Sequence, residues 1–107
     1  MAEAYKSQGT KLTTNASTTI YAGVVGTGVV NGINISNVDV YNSCNINVFL
    51  VKGGTSYSLI SNVSVPVGAS LQILDAPIIC ESGNTITATS AAASILEVVV
   101  SVLEITA

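Results

Sequence analysis

The chain has 107 residues, of which 49% are apolar and only 8% charged; its net charge is −3, it has no histidine, and Lys6, Lys11 and Lys52 are its sole basic side chains. That length suits one domain built on a single core. The missing basic footprint excludes a nucleic-acid interface and a polybasic membrane patch, and the missing imidazole excludes Ser–His–Asp and Cys–His catalysis.

Residues 1–18 are polar and lack a sustained period, which predicts an extended N-terminal arm or an edge strand, with Tyr5 and Leu12 as its anchors. The start MAEAYKSQGTKL has no apolar stretch of signal-peptide length, so the expectation is a chain made in the cytoplasm. Residues 19–107 read as a β-sandwich domain. Thr19 to Val24 forms a short strand. Gly26-Thr27-Gly28 is read as a turn, because GVVGTGVV has the wrong glycine order for a dinucleotide loop and is followed by a strand pattern. Val29 to Val40 is the next strand. Its apolar phase slips near Ser36-Asn37, which predicts a β-bulge there.

Ile46, Val48 and Leu50 alternate with Phe49 and Val51, and Lys52-Gly53-Gly54-Thr55 then turns the chain into a hairpin whose return strand carries Tyr57 and Leu59. Val63, Val65 and Val67 alternate around Pro66, which places that segment at an edge or entering a turn. Leu71 and Ile73 make a short strand. Glu81-Ser82-Gly83-Asn84 is a polar turn, and Thr85 to Thr89 alternates with threonines outward and Ile86 and Ala88 inward. The closing stretch ILEVVVSVLEI, Ile95 to Ile105, is the clearest strand. Leu96, Val98, Val100 and Val102 share one face; Glu97, Val99, Ser101 and Leu103 share the other. That second face is too apolar for a rim strand in water, so it is expected to lie centrally or to meet another subunit.

About eight strands without a helix predict an all-β fold, a single antiparallel β-sandwich that is immunoglobulin-like or jelly-roll-like. Cys44 and Cys80 are expected to be reduced and buried, with a disulfide between them as the alternative. No cofactor and no metal are expected. Asp39, Asp75 and Glu81 fall near strand ends, where calcium could be held, but no EF-hand spacing accompanies them. Glu97 and Glu104 have opposite strand parity and cannot act as paired carboxylates on one face. No catalytic residue emerges, and the expectation is a protein that is not an enzyme.

Soluble domains typically carry about 25% charged residues, and a chain this poor in charge lacks the repulsion that keeps copies apart. The expected work is therefore adhesion. The interface candidates are Tyr5, Lys6, Leu12, Val99, Leu103 and Ile105, with residues 1–14 reaching onto a neighbouring subunit.

The segments MAEAYKSQGTKL, TTIYAG, VVNGINISNVD, FLVKGGTSYSLI, VPVGASLQIL, ICESGNTITATS and VSVLEIT together resemble a family of small virion structural proteins of tailed bacteriophages, across nearly the whole chain. The GVVGTGVV region departs from the family pattern, where a Tyr-x-Val-Pro turn is expected. The resemblance implies a virion protein made in the host cytoplasm: a capsid decoration (cement) protein, or a component of the neck, tail or fibre attachment. Its implied partners are its own copies and major capsid or neck and tail proteins, with no nucleic acid and no membrane. A host-adhesion module is the alternative; Tyr41 and Tyr57 are the aromatic candidates for such binding.

Overall fold

The computed structural model describes residues 2–106. Nine strands follow one another: β1 (Ala2–Lys11), β2 (Thr18–Ala22), β3 (Gly26–Asn37), β4 (Cys44–Lys52), β5 (Thr55–Val65), β6 (Ser70–Gln72), β7 (Ile78–Glu81), β8 (Thr85–Ser90) and β9 (Leu96–Thr106). Among the described residues there is no helix, and so none that could cross a membrane.

The topology is one long hairpin rolled up. Its tip is the β4–β5 turn at Gly53-Gly54, where both residues take positive φ (60° and 80°) and glycine is needed. Behind the tip β3 pairs β6 and β7, then β2 pairs β8, then β1 pairs β9, all antiparallel. Rolling adds the pairs β3–β9 and β4–β8, which close two sheets in the orders β1-β9-β3-β6 (with β7 also on β3) and β2-β8-β4-β5. Two antiparallel sheets with that order form a β-sandwich of the jelly-roll kind, which decides between the two topologies that periodicity left open.

The inward faces meet in one core. Val30, Ile33, Ile35, Val98, Val100 and Val102 come from the first sheet, and Ile20, Ile46, Val48, Val65 and Ile86 from the second. Cys44 and Cys80 are buried and unpaired. Burial pushes the Cys80 thiol up, which disfavours the thiolate.

Several expectations need correction. Of the two forms expected for the N-terminal segment, the edge strand holds and the arm onto a neighbour does not: β1 pairs β9 in continuous register from Ala2↔Thr106 to Lys11↔Glu97. Leu12, next in line, is 1% exposed and belongs to the core, so it cannot serve as an interface residue. Gly26-Thr27-Gly28 is not a turn but the start of β3, and residues 23–25 make the connection instead. The bulge in β3 sits at Asn31, where the register against β9 shifts between Val30 and Gly32, not at Ser36-Asn37. The Gln72 Oε1 accepts a hydrogen bond from the Ile33 N–H just past that bulge (2.7 Å). β3 ends at Asn37 because its buried amide turns inward. Its Nδ2 donates to the Asn42 and Val65 carbonyls (2.9 and 3.0 Å), and its Oδ1 accepts from the Asp39 N–H (2.8 Å). Val38 and Val40 therefore lie exposed in a loop rather than on a strand.

β5 is one strand where the sequence suggests two. Asn62 makes the break by adopting φ 53°, held by its N–H donating to Asn47 Oδ1 (2.7 Å) and by Asn45 Nδ2 donating to its own Oδ1 (3.0 Å). The hairpin tip is tied to the β7–β8 turn by Lys52 Nζ and Glu81 Oε1 at 2.8 Å. The Glu81 carboxylate holds the Lys52 ammonium pKa up and is itself held down by it. Both side chains are more than half exposed, so solvent screens the pair. Lys52→Ala is expected to leave Tm unchanged in low and high salt alike, as a thermal melt would report.

Candidate functional site

The two outer faces of the sandwich differ in chemistry. On the β2-β8-β4-β5 sheet the outward side chains are hydroxyls and amides: Thr19, Thr85, Thr87, Thr89, Asn45 and Asn47, joined by Phe49 and Val51. The outer face of the other sheet carries an apolar row across four of its strands, β1, β9, β3 and β7. In register, Tyr5 of β1 faces Leu103 of β9, Leu103 faces Val29 of β3, and Val29 faces Ile79 of β7. These four point outward because their neighbours Val30, Val102 and Cys80 fill the core, and alternate residues leave opposite sides of a strand. Tyr5 is 81% exposed and Ile79 48%; Leu103 and Val29 are half-buried by their neighbours in the row.

A mixed row and a polar row flank it. On one side lie Glu3, Ile105, Thr27 and Glu81; on the other, Ser7 and Ser101. Val99 stands beyond that serine row, opposite Gly9 and Asn34, and is 43% exposed. Of the residues expected at an interface, Tyr5 and Leu103 share the row, and Ile105 and Val99 stand on the same face at either side. Lys6 points to the opposite side of β1, and Leu12 is buried. Val29 and Ile79 were missed. Val29 is expected on a strand but without a partner, and Ile79 falls in no expected strand. Only long-range pairing aligns them with Leu103, so no local signal could have found them.

The inward side of β1 holds a second cluster. Glu104 is 5% exposed although charged. Its Oε2 accepts a hydrogen bond from the Tyr21 hydroxyl (2.7 Å), and its Oε1 lies 2.8 Å from Lys6 Nζ. Lys6, followed by Tyr21, holds this carboxyl below the ordinary carboxylate range against the cost of burial. Burial, followed by the Glu104 hydrogen bond, pushes the Tyr21 phenol well above its ordinary value. A bulge in β2 between Thr19 and Tyr21 lets both Ile20 and Tyr21 turn inward. Gly28, opposite Glu104 on β3, leaves room for the phenol; a Cβ there would lie 2.7 Å from the Tyr21 oxygen. The three groups satisfy one another, and no buried side-chain nitrogen or oxygen among the described residues lacks a partner. Such a closed set is structural, with neither a free base nor an open acid.

A groove of about 210 Å³ lies at one end of the sandwich, lined by Lys11, Leu12, Thr13, Val38, Ser94, Leu96 and Glu97. It falls below the usual range of about 300–1,000 Å³ for small-molecule sites. Among the described residues, no three His, Cys, Asp or Glu side chains are placed to hold a metal ion, so Asp39, Asp75 and Glu81 are not brought together. Tyr41 and Tyr57 are both exposed but lie toward opposite ends of β4, which precludes a joint aromatic platform. No family model matches the chain, and no curated protein or solved structure matches it.

Proposed function

We propose that this chain is a non-enzymatic structural protein of a tailed-phage virion, a capsid decoration protein that adheres to the shell through the outer face of its β1-β9-β3-β7 sheet. The observation that carries the reading is the apolar row Tyr5–Leu103–Val29–Ile79, set in a surface with little charge. Burying such a row gains roughly 25 cal/mol per Å² of apolar area, and an array of copies multiplies the gain. The jelly-roll order supports the reading by fold-level analogy, since viral capsid proteins use that architecture; so do lectins, which makes the analogy weak alone. The resemblance to small phage virion proteins, which runs across nearly the whole chain, is what suggests the location.

The test is quantitative mass spectrometry of purified particles from phage carrying wild-type or Leu103→Lys protein. Leu103 is half-exposed on the outer face, so the variant is expected to fold. The expected result is a wild-type copy number matching the shell lattice and loss of the folded variant from particles. A copy number matching a single ring would replace decoration by a neck or tail role. Absence of the wild-type protein from particles would overturn the virion reading altogether, and normal incorporation of the variant would overturn the role of this face.

A further inference from the structure

Edge strands normally protect themselves, because their unpaired N–H and C=O groups invite another strand. β1 is ten residues long, contains no proline, and pairs on one side only, with β9. From Glu3 to Gly9 every residue is exposed, so neither face of the strand is covered. The direction of its free backbone groups follows from Leu12, whose N–H donates to the carbonyl of Leu96, its partner in the same register (3.0 Å). In an antiparallel pair hydrogen-bonded positions alternate. The even-numbered residues of β1 therefore bond β9. Glu3, Tyr5, Ser7, Gly9 and Lys11 present their N–H and C=O groups to the open edge.

We infer that β1 pairs antiparallel with β1 of a second copy about a twofold axis at Ser7, joining two five-stranded sheets into one continuous sheet. The side chains fit this register. Ser7 faces Ser7 of the other copy, Tyr5 faces Gly9, and Glu3 faces Lys11, and each of the last two contacts occurs twice by symmetry. Opposite charges directly across a ladder stabilise it, and an aromatic ring packs over the bare backbone of a cross-strand glycine. On the other side of the strand Lys6 faces Gln8 and Ala4 faces Thr10, so no like charges meet. A twofold axis normal to the sheet keeps the faces matched, so competing registers differ by a shift of two residues. A shift one way sets Lys6 against Lys6; a shift the other way carries Glu3 past the end of the strand and loses both ion pairs. Lys11 already lies 3.8 Å from Glu97 on its own sheet but stays exposed, and can face a second carboxylate.

This pairing uses the edge of the sheet and leaves its outer face free. It goes beyond the proposed adhesion to a shell and does not depend on the location in a virion. The experiment uses the purified chain without any phage component, so the two readings fail separately.

Sedimentation equilibrium should give a mass about twice the 10.8 kDa of one chain. Ser7→Pro removes an N–H from the free edge without touching the β9 ladder, and should return the mass to that of the monomer while circular dichroism stays native. Glu3→Lys and Lys11→Glu should each weaken self-association several-fold, and a mixture of the two should form heterodimers, because each Lys then meets a Glu. Ser7→Cys should cross-link to itself under mild oxidation, whereas Tyr5→Cys should not, since hydrogen-bonded partners place Cα atoms about 5.5 Å apart, within disulfide reach. A monomeric wild-type protein, or a dimer indifferent to Ser7→Pro, would overturn the proposal. Should Ser7→Pro fail to fold, the cross-linking pair decides: linkage at Tyr5→Cys, or none at Ser7→Cys, would sink the Ser7 register.

Discussion

Deletion of residues 1–14 unfolds the domain, rather than freeing an intact domain from its neighbours. The deletion removes β1, which lies against β9 along ten residues, and with it the buried side chain of Leu12. Truncating a fully buried leucine to alanine alone costs about 2–5 kcal/mol, against a total of about 5–15 kcal/mol for a domain of this kind. Two further anchors go as well: the Leu12 carbonyl accepts from the Ser94 N–H (2.8 Å), and Lys6 pairs Glu104. Loss of that lysine strands a buried carboxylate, and loss of β1 leaves β9, an interior strand of its sheet, as a bare apolar edge. The truncated chain should show no cooperative thermal transition and should aggregate. Leu12→Ala should keep a cooperative transition at lower Tm. A truncated protein with a sharp melt and native circular dichroism would show that β1 is dispensable to the fold.

The second large effect falls on Gly28. A valine there brings its Cβ to 2.7 Å from the Tyr21 oxygen and 3.2 Å from the Cys80 carbonyl oxygen. The phenol must move, and the hydrogen bond to Glu104 is lost with it. Overpacking and a lost hydrogen bond to a charged group together cost about 3–6 kcal/mol. Tyr21→Phe removes the hydrogen bond without the clash and should cost about 1.5–3 kcal/mol at neutral pH. The pH dependence has a definite sign. The folded protein holds the Glu104 carboxyl below its unfolded value, so the stabilisation is fully present above the unfolded carboxylate pKa. It is lost as pH falls through the lower, folded value. The stability gap between wild type and Tyr21→Phe should therefore narrow on acidification, in chemical denaturation at successive pH values. A constant gap down to acid pH would mean that the phenol does not stabilise the charged form.

Strand character was legible wherever one side of a strand is wet and the other dry. The alternation of β8 and β9, the Gly53-Gly54 tip and the Pro66 turn all follow from residues a few positions apart. Strand β1 was harder to read, since its polar residues look like an arm until the unpaired side of β9 is seen to need them. The interface row was legible only in part. Leu103 stood out as an apolar residue on the wetter side of its strand, but Val29 and Ile79 become its neighbours through pairings that span most of the chain. Glu104 shows the same limit. Its parity correctly set it on the other side from Glu97, yet only the closed sandwich brings it to Tyr21 and Lys6. The bulges at Asn31 and Asn62 are fixed by side chains that arrive from elsewhere, Gln72 and Asn47, so local phase alone misplaced the first and missed the second.

The position of β9 between β1 and β3 has a bearing on synthesis. β1 and β3 do not pair with each other, and β9 follows both in the chain, so β1 has no partner and the sheet they share cannot be completed until β9 has been made. The nascent polypeptide must hold its early strands in waiting, and a fold built on such distant partners closes slowly, on the order of milliseconds to seconds. During that interval crowded copies on a polysome are exposed to one another's unfilled ladders, a hazard that a holding chaperone or slow initiation would relieve.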